Sequence, residues 1–400
     1  MNSYWKTIVR KVISEYGTPC YISAWNPIES ALNELKVLDG ILPVKHWLSF
    51  KTHPLAPLVR KWGCLGYGVE VVSEYEFLAT LAENISPELI LVNGVAKHSW
   101  LTKYNVSGIR VHFDSLLEVE KLIEQARRCN WRVGLRCHVS EEYDPDEPIH
   151  GGQFGMLAEE MRDALGTLRS RNITPESVHF HLRTNVESPD CYARAIAELS
   201  DICTRIGFSP KYVDCGGGLP VRMDQFVVPA PEPNLPWLLN FRDVLNTIPN
   251  KFPHAEQIWL ENGQFVTARS SVLVVSVLDI KERPDSRYLI CDGGRTNHAL
   301  VSDWEVHNIF SRPQRTGRPR ATTVCGPTCM AFDRLLRADL PEDIGIGDNI
   351  IWMNAGAYHI PWETRFSHGL AKVVWCNEDG SIFVARRAEE FLHWWGQWEQ

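Results

Sequence analysis

The 400-residue sequence lacks the features that mark several classes of protein. Its apolar runs fall short of the roughly 20 residues that a membrane-spanning helix needs, and residues 1–6 (MNSYWK) hold no apolar signal core. Lysine and arginine form no dense block and the net charge is −8, which argues against nucleic acid or an anionic membrane as a partner. The 11 cysteines include no CxxC pair, and their number is odd. We therefore expect free thiols in a reducing cytoplasm, and neither a disulfide framework nor a metal site.

From residue 46 the sequence alternates between short apolar runs and amphipathic segments. Segments such as Leu116–Arg128 and Tyr192–Ile206 carry apolar residues at helical spacing. This alternation predicts parallel strands covered by helices, and eight units over about 220 residues fit a (β/α)8 (TIM) barrel better than an open sheet. The predicted strands are His46–Thr52, Val69–Ser73, Leu89–Gly94, Gly108–Asp114, Arg132–His138, Ser177–Leu182, Tyr212–Gly218 and Gln257–Gly263.

After Gly263 the pattern changes to strand-like runs with turn-rich connections, which predicts a second, mainly antiparallel β domain. An early strand, Pro19–Ser23, has no place in the barrel count and is expected to pair into that domain. The sequence thus predicts a barrel over residues 28–267, and a β domain from residues 1–27 and 268–400. The strands predicted for the β domain are Ser271–Ile280, Arg287–Cys291, Thr322–Cys325, Asn349–Met353, Ala371–Trp375 and Ser381–Ala385.

Polar residues collect where the predicted barrel strands end. The strand interiors are otherwise mostly apolar, and the chemistry of such barrels gathers at the C-terminal ends of the strands. This concentration favours an active site at that end. The residues are Lys51, Glu70, Ser73, Asn93, Asp114, Arg136, His138, His181, Gly216, Gly217, Gly218 and Glu261.

Two of these residues, Lys51 and Glu261, each allow two interpretations. Lys51 either extends its ammonium to the solvent at the rim or is a desolvated amine held for a Schiff base. The concentration of polar strand ends favours the second interpretation. Glu261 needs a cationic partner if it is buried, which could be Arg136 or the protonated nitrogen of a pyridine ring.

The remaining candidates also have a functional and a structural interpretation. Gly216, Gly217 and Gly218 suit either an anion held by backbone N–H groups or a tight turn with positive φ. His181 could stack on a planar cofactor, with Thr184 near a phosphate, or be a core histidine. Cys329 is a proton donor or an inert buried thiol, and Tyr358 reaches a phosphate or simply packs.

Nine motifs occur in one order along most of the chain, from about Pro19 to Ala385, and together they resemble a known family. The resemblance is to the fold-type III pyridoxal-phosphate-dependent decarboxylases, which include diaminopimelate and ornithine decarboxylases. It implies an alanine racemase-like architecture, a barrel followed by a β domain that takes in the N-terminal strand. It also implies a head-to-tail homodimer with active sites at the subunit interface. The motifs are SFKT, GVEVVSEYEF, LVNGVAKHSW, QFGM, HFHLRTN, DCGGGLP, ENGQ, GPTCMAFD and NAGAY.

The resemblance also implies roles for single residues. Lys51 would form the Schiff base with pyridoxal 5'-phosphate, and His181 would stack on its ring. Glu261 would pair with the ring nitrogen. Cys329 would reach in from the partner chain to return a proton after carbon dioxide leaves, with Asp333 nearby. The phosphate would be held by Gly216, Gly217, Gly218, Thr184 and Tyr358.

Departures from the family bear on the substrate. Gln264 stands where diaminopimelate decarboxylases have an arginine for the distal carboxylate, and Met330 stands where an acidic residue meets a distal ammonium. A buried distal charge would lack its partner, which argues against diaminopimelate, ornithine or lysine. Arg183 replaces a usual glycine and could meet an added substrate anion. The candidate substrate contacts are thus Arg183, Gln264, Met330 and Asp333.

QFG and the Phe366–Gly369 stretch are similar to the branch of the family that serves siderophore and antibiotic assembly. We therefore expect an enzyme of specialised biosynthesis that decarboxylates an amino acid or an amino-acid conjugate, free or on a carrier protein. An amino-acid racemase of the same fold is one alternative, but the Cys329 motif favours decarboxylation. A non-catalytic regulatory relative without cofactor is another, and Lys51, His181 and Glu261 argue against it.

Overall fold

The computed structural model describes residues 1–140, 152–221, 235–298 and 307–399. These residues form two compact units. One comprises residues 31–140, 152–221 and 235–265, and the other comprises residues 1–30, 266–298 and 307–399. Within the described ranges, no helix combines the length and the apolar character that crossing a membrane requires.

The strands and helices are named in chain order. The strands are β1 (Cys20–Ala24), β2 (Val44–Ser49), β3 (Gly68–Val71), β4 (Ile90–Val92), β5 (Arg110–Phe113), β6 (Arg132–Arg136), β7 (Ser177–His179), β8 (Tyr212–Asp214), β9 (Gln257–Asn262), β10 (Ser271–Glu282), β11 (Arg287–Cys291), β12 (Ile309–Arg312), β13 (Pro319–Cys325), β14 (Arg334–Pro341), β15 (Asn349–Trp352), β16 (Lys372–Cys376) and β17 (Ile382–Arg386). The α-helices are α1 (Ser3–Tyr16), α2 (Trp25–Leu35), α3 (Ala56–Cys64), α4 (Glu74–Ala82), α5 (His98–Leu101), α6 (Leu116–Arg128), α7 (Ala158–Ser170), α8 (Pro189–Ile206), α9 (Leu235–Leu245), α10 (Ile248–Lys251), α11 (Gln264–Thr267), α12 (Arg295–His298), α13 (His359–Trp362) and α14 (Phe391–Trp395).

Strands β2 to β9 form a closed barrel, which confirms the predicted (β/α)8 architecture. Each strand pairs in parallel with the next, and β9 closes the barrel on β2, with Trp47 opposite Glu261. Trp47 and Trp259 pack edge to face inside this unit, with ring centroids 5.1 Å apart. Gly68 makes room for this packing, because a Cβ there would lie 2.2 Å from the Trp47 ring.

The barrel strands end earlier than the sequence predicts. β2 stops at Ser49, and residues 50–52 form a single 3₁₀ turn. Thr52 Oγ1 donates to the Ser49 carbonyl over 2.8 Å and His53 N donates to the Phe50 carbonyl over 3.1 Å, so local bonds replace the sheet ladder there. Lys51 therefore lies in a turn just after its strand, as do His181 and the glycine run.

The second unit is a nine-stranded, mainly antiparallel sheet, as predicted. β1 pairs antiparallel with β10 and parallel with β16, which confirms that the N-terminal strand belongs to this sheet. Trp5, Val9 and Val12 of α1 share one hydrophobic core with these strands.

Strands β12 and β14 were not predicted from the sequence. β12 is half-buried throughout, and β14 alternates buried and exposed residues with charges at Arg334 and Arg337. β12 is only four residues long and β14 carries three charged residues and ends at a proline, so neither has the run of β-branched residues that marks a strand.

Candidate active site

Lys51 is held by a buried carboxylate at the C-terminal end of the barrel. Its Nζ lies 2.9 Å from Glu70 Oε2 and 3.4 Å from Ser49 Oγ. The Ser49 hydroxyl also donates to Glu70 Oε2 over 2.7 Å. The Glu70 side chain is 1% exposed, whereas that of Lys51 is 38% exposed. The ammonium is thus anchored on its inner side and accessible on the other, unlike a lysine that only extends into solvent.

Glu261 is the centre of a group of buried carboxylates. Its Oε1 accepts a hydrogen bond from Asn93 Nδ2 and lies 3.3 Å from His179 Nε2. Burial raises the pKa of Glu261 well above its usual range, and the charges of Asp214 and Glu70 raise this pKa further. Lys51 and Arg136 oppose this rise. The interpretation that Glu261 forms an ion pair with Arg136 is wrong. Arg136 Nη1 pairs instead with Asp114 Oδ1 at 3.3 Å.

Asp214 adds a second carboxylate that solvent does not reach. Burial raises its pKa to about 7, although Gly216 N donates to its Oδ1 over 2.9 Å. No described residue donates a hydrogen bond to Asp214 Oδ2. This end of the barrel therefore holds more buried carboxylates than cations to balance them, which favours a ligand with a cationic group. The carboxylates are those of Glu70, Asp214 and Glu261.

The glycine run forms a turn that backbone packing requires. Gly216 and Gly218 have φ values of 68° and 104°, and a Cβ on Gly217 would lie 2.5 Å from the Glu261 carbonyl oxygen. The Tyr192 hydroxyl donates to the Gly217 carbonyl over 2.6 Å. The structural interpretation of these glycines therefore holds, whatever the turn also binds.

His181 lies against this turn as a neutral ring. Gly217 N donates to its Nδ1 over 3.1 Å, so the geometry assigns the ring proton to Nε2. Burial lowers the pKa of His181 to about 3, and the charges of Arg136 and Lys51 contribute. A neutral imidazole can lie against a planar group without adding a charge.

A stacked pair of histidines lies beneath Glu261. The rings of His112 and His179 are 5.0 Å apart, and burial lowers both pKa values well below the usual range. Ligand atoms of these histidines and Glu261 lie within 4.8 Å of one another, the spacing of a metal site. Yet His112 Nε2 already bonds Ser177 Oγ at 2.9 Å, and Glu261 Oε1 bonds Asn93. These bonds favour a hydrogen-bonded network over a metal centre.

A buried ion pair that the sequence analysis missed supports the neighbouring loops. Lys97 Nζ pairs with Glu118 Oε2, and both side chains are fully buried. Glu118 also accepts from Asp114 N over 2.8 Å, which orients the residue that pairs with Arg136. The sequence also did not identify Asn93 and His179 as partners of Glu261. It showed only that each is a polar residue within or just after an apolar strand.

The other candidates of the barrel unit lie on its rim. Thr184 is exposed, and Arg183 Nη1 donates to the backbone carbonyls of Thr184 and Asn185 over 3.0 and 2.8 Å. The guanidinium of Arg183 thus folds onto its own loop. Gln264 follows β9 at the start of α11 and is 5% exposed.

The β-domain candidates lie in two loops of the other unit. Cys329 is exposed, so the interpretation of an inert buried thiol is wrong. Asp333 is buried, and its carboxylate accepts from Arg295 N (2.6 Å), Thr328 N (3.0 Å) and Thr328 Oγ1 (2.5 Å). This favours a structural role for Asp333 over the predicted substrate contact. Met330 is half-buried beside Cys329.

Tyr358 is the last candidate and lies in a separate loop of this unit. It is half-buried with φ of 64°, and its ring centroid lies 6.2 Å from that of Trp362. Nearby in the same loop, Gly356 N donates to the Ala268 carbonyl over 3.1 Å.

The chain is similar in sequence to known amino-acid decarboxylases. The chain is 24% identical over 393 residues to the diaminopimelate decarboxylase of Zymomonas mobilis subsp. mobilis, covering 94% of this chain and 92% of that protein. It is 24% identical over 370 residues to the ornithine decarboxylase of Mus pahari, covering 85% and 76%.

Solved structures share the fold. Diaminopimelate decarboxylase from Helicobacter pylori, complexed with L-lysine, superposes with a TM-score of 0.82 at 22% identity, covering 98% of this chain and 99% of that one. Lysine/ornithine decarboxylase from Vibrio vulnificus, complexed with cadaverine, superposes with a TM-score of 0.79 at 21% identity, covering 94% and 100%. The predicted fold-type III architecture is therefore confirmed.

A family model that matches more than half of the chain shows the family to which it belongs. Residues 29–268 match the model described as the pyridoxal-binding domain of pyridoxal-dependent decarboxylases. This range contains Lys51, His181, the glycine run and Glu261. The chain therefore belongs to the pyridoxal-dependent decarboxylases, lyases that act on amino acids with pyridoxal 5'-phosphate as cofactor.

Proposed function

We propose that the C-terminal end of the barrel holds pyridoxal 5'-phosphate through Lys51, His181 and Glu261. The observation that carries this assignment is the Lys51 amine, which is anchored on Glu70 near buried carboxylates that have no cationic partner of their own. Lys51 would hold the cofactor aldehyde, and the ring nitrogen would supply the cation that Glu261 lacks. The neutral His181 ring would lie against the cofactor. The phosphate would be held by Gly216, Gly217, Gly218, Thr184 and Tyr358.

The side chains of this chain then have distinct tasks. When bound, the cofactor supplies an electron sink for the pair of electrons left as the α-carboxylate departs as carbon dioxide. Glu70 holds the proton-bearing Nζ of Lys51 in place and can accept a proton from it. Glu261 would take up its charge once a cation faces it, because the cation offsets the cost of burying the carboxylate. The exposed thiol of Cys329 returns a proton to the substrate carbon.

The proposed substrate is an amino acid or an amino-acid conjugate of siderophore-like or antibiotic-like biosynthesis, and neither meso-diaminopimelate nor ornithine. Gln264 and Met330 carry no charge, so a distal carboxylate or ammonium at these positions would lose its hydration without gaining an ion pair. Arg183 lies in the loop beside the glycine turn, and its guanidinium would exchange its contacts with the Thr184 and Asn185 carbonyls for an additional anion on the substrate. Delivery by a carrier protein is part of the same proposal.

Two further assignments complete the proposal. A homodimer with shared sites is supported by the exposure of Cys329, because a proton donor that serves the partner's site must lie at the surface of its own chain. A cytoplasmic location is supported by the 11 cysteines, all of which are free.

The visible absorbance of the cofactor tests the role of Lys51. Protein purified with pyridoxal 5'-phosphate should be yellow, and Lys51→Ala should lose this band because no other amine replaces Nζ. Lys103→Ala is a matched control, since Lys103 pairs with Glu74 at 3.0 Å on the exposed surface. A band that persists in Lys51→Ala, or is absent from the parent protein, overturns the assignment.

Release of carbon dioxide tests the reaction and the substrate class. The enzyme is incubated with single amino acids, with diaminopimelate and ornithine, and with amino-acid conjugates that carry an extra carboxylate. We expect release from the conjugates to exceed release from diaminopimelate and ornithine. Faster release from either of these two overturns the substrate proposal, and inversion of the α-carbon without release favours the racemase alternative.

A further inference from the structure

The β-domain unit carries a groove lined by both cationic and apolar side chains. It encloses about 500 Å³ between the first half of α1, β12 with the residues that follow it, and the turn between β14 and β15. The wall from α1 contributes Lys6 and Arg10, and the wall from β12 contributes Phe310 and Arg312. None of the residues assigned to the decarboxylase site lines the groove.

The cations of the groove have few acidic partners. Lys6 and Arg10 lie four residues apart on α1, are exposed, and form no ion pair with any described residue. Two like charges at this spacing repel each other. Among the described residues, the hydrogen-bond acceptor of Arg312 is an amide oxygen, Asn349 Oδ1, at 3.4 Å. Arg315 alone is neutralised, by bidentate contact with Asp348 at 2.8 and 2.9 Å. Three unneutralised cations thus meet in a chain whose net charge is −8.

A buried arginine lies behind one wall and adds positive charge. Arg287 is 1% exposed, and its guanidinium donates to the carbonyls of Pro341 (2.8 Å) and Glu342 (2.7 Å) and to Thr322 Oγ1. All of these acceptors are neutral, and Pro341 itself lines the groove. The wall is therefore fixed in position by hydrogen bonds from a charged group.

The rest of the lining is apolar. Ile344 and Ile350 line the groove with 3% and 2% exposure, while Phe310 and Leu340 are half-buried. A volume of about 500 Å³ suits a small molecule, since ligand pockets measure roughly 300–1,000 Å³. A ligand that filled it would need a charge for the cations and a hydrocarbon part for Phe310 and Leu340.

We propose that this groove binds a small amphiphilic anion, a carboxylate or a phosphate monoester that carries an apolar chain. The head group lies among Lys6, Arg10 and Arg312, and the apolar chain covers the half-buried Phe310 and Leu340. Binding relieves the repulsion between the cations and removes apolar surface from water. The site is independent of the decarboxylase site and of its cofactor.

Three probes with one hydrocarbon chain test the proposal. Octanoate, octyl phosphate and octan-1-ol are titrated calorimetrically into the cofactor-loaded enzyme. We expect saturable binding of at least one anion, at least tenfold tighter than binding of the alcohol and weakened by added salt. The preferred anion identifies the head group. Equal binding of octan-1-ol and both anions, or no saturable binding in the millimolar range, overturns the proposal.

Variants locate the binding. Arg10→Gln combined with Arg312→Gln should weaken anion binding at least tenfold and leave carbon dioxide release unchanged. Arg337→Gln is the control, because Arg337 is exposed on β14 but does not line the groove. Should the double variant be unstable, Lys6→Gln on exposed α1 makes the same test with one change. Undiminished anion affinity in folded variants overturns the proposal.

Discussion

At the scale of single residues, the barrel end is dominated by carboxylates that solvent does not reach. Glu70 is balanced by Lys51 at 2.9 Å, whereas Asp214 and Glu261 form no ion pair with a lysine or arginine among the described residues. Burial therefore raises the pKa of Asp214 to about 7 and that of Glu261 well above its usual range. A protein built this way is less stable without its cofactor than with it, because a bound cation offsets the cost of these charges.

The pH dependence of the cofactor-free protein should report this burial. Because the folded pKa of Asp214 is raised from 3.8 to about 7, the folded state binds this proton more tightly than the unfolded state. Its contribution to stability is therefore present below about pH 4 and is lost as the pH rises from about 4 to 7. Asp214→Asn keeps an acceptor for Gly216 N but cannot ionise, so its melting temperature should fall less over this range. Thermal unfolding of the two apoproteins at pH 4, 5.5 and 7 makes the comparison, and parallel curves would contradict the expectation.

At the scale of elements, short turns after the strands position the chemistry, and a buried aspartate organises the loop that carries Cys329. Asp333 joins Arg295 N, at the start of α12, to Thr328 in the loop between β13 and β14. Gly326 and Gly294 allow this close approach, because a Cβ on Gly294 would lie 2.3 Å from Gly326 Cα. The carboxylate thus fixes the loop from inside, while Cys329 lies at its surface.

Loss of this carboxylate should disturb catalysis through the position of Cys329. Asp333→Ala leaves three donors unsatisfied, each at a cost of roughly 1–3 kcal/mol in the free energy of unfolding. We expect the variant to keep the visible cofactor band, to release carbon dioxide more slowly, and to add solvent deuterium at the α-carbon with lower stereoselectivity. Asp339→Ala, exposed on β14 of the same hairpin, is the matched control. A variant that is merely less stable, with wild-type product stereochemistry, would exclude the positioning role.

At the scale of the whole molecule, the site is expected to be assembled from two copies of the chain. The barrel of one chain would contribute Lys51, His181 and Glu261. We propose that the second chain contributes Cys329. An exposed thiol is suited to this task because it can reach another chain, whereas a buried one cannot. A shared site therefore predicts complementation between two inactive variants, which a monomeric enzyme would not show.

Mixed dimers test the shared site. Cys329→Ala should keep cofactor but turn over slowly or with altered products, and Lys51→Ala should be inactive. When the two are unfolded together and refolded, each heterodimer should contain one site with both residues intact and one with neither. Random pairing then restores about a quarter of the wild-type activity per chain. Activity no greater than the mean of the separate variants would show that each chain uses its own Cys329, and sedimentation velocity establishes the dimer independently.

The sequence by itself determined the barrel, the β domain and the end of the barrel that carries the polar residues. These follow from local periodicity and from short connections, which force parallel strands and place their C-terminal ends together. Only the tertiary structure decided which polar groups meet. Asn93 and Glu261 are 168 residues apart in the chain and meet only because the strands form a barrel, whereas Lys51 and Glu70 are 19 apart and meet through the parallel pairing of β2 with β3. The same holds for Arg136, which pairs with Asp114 rather than with Glu261, because pairing between buried charges depends on distances that no local pattern encodes.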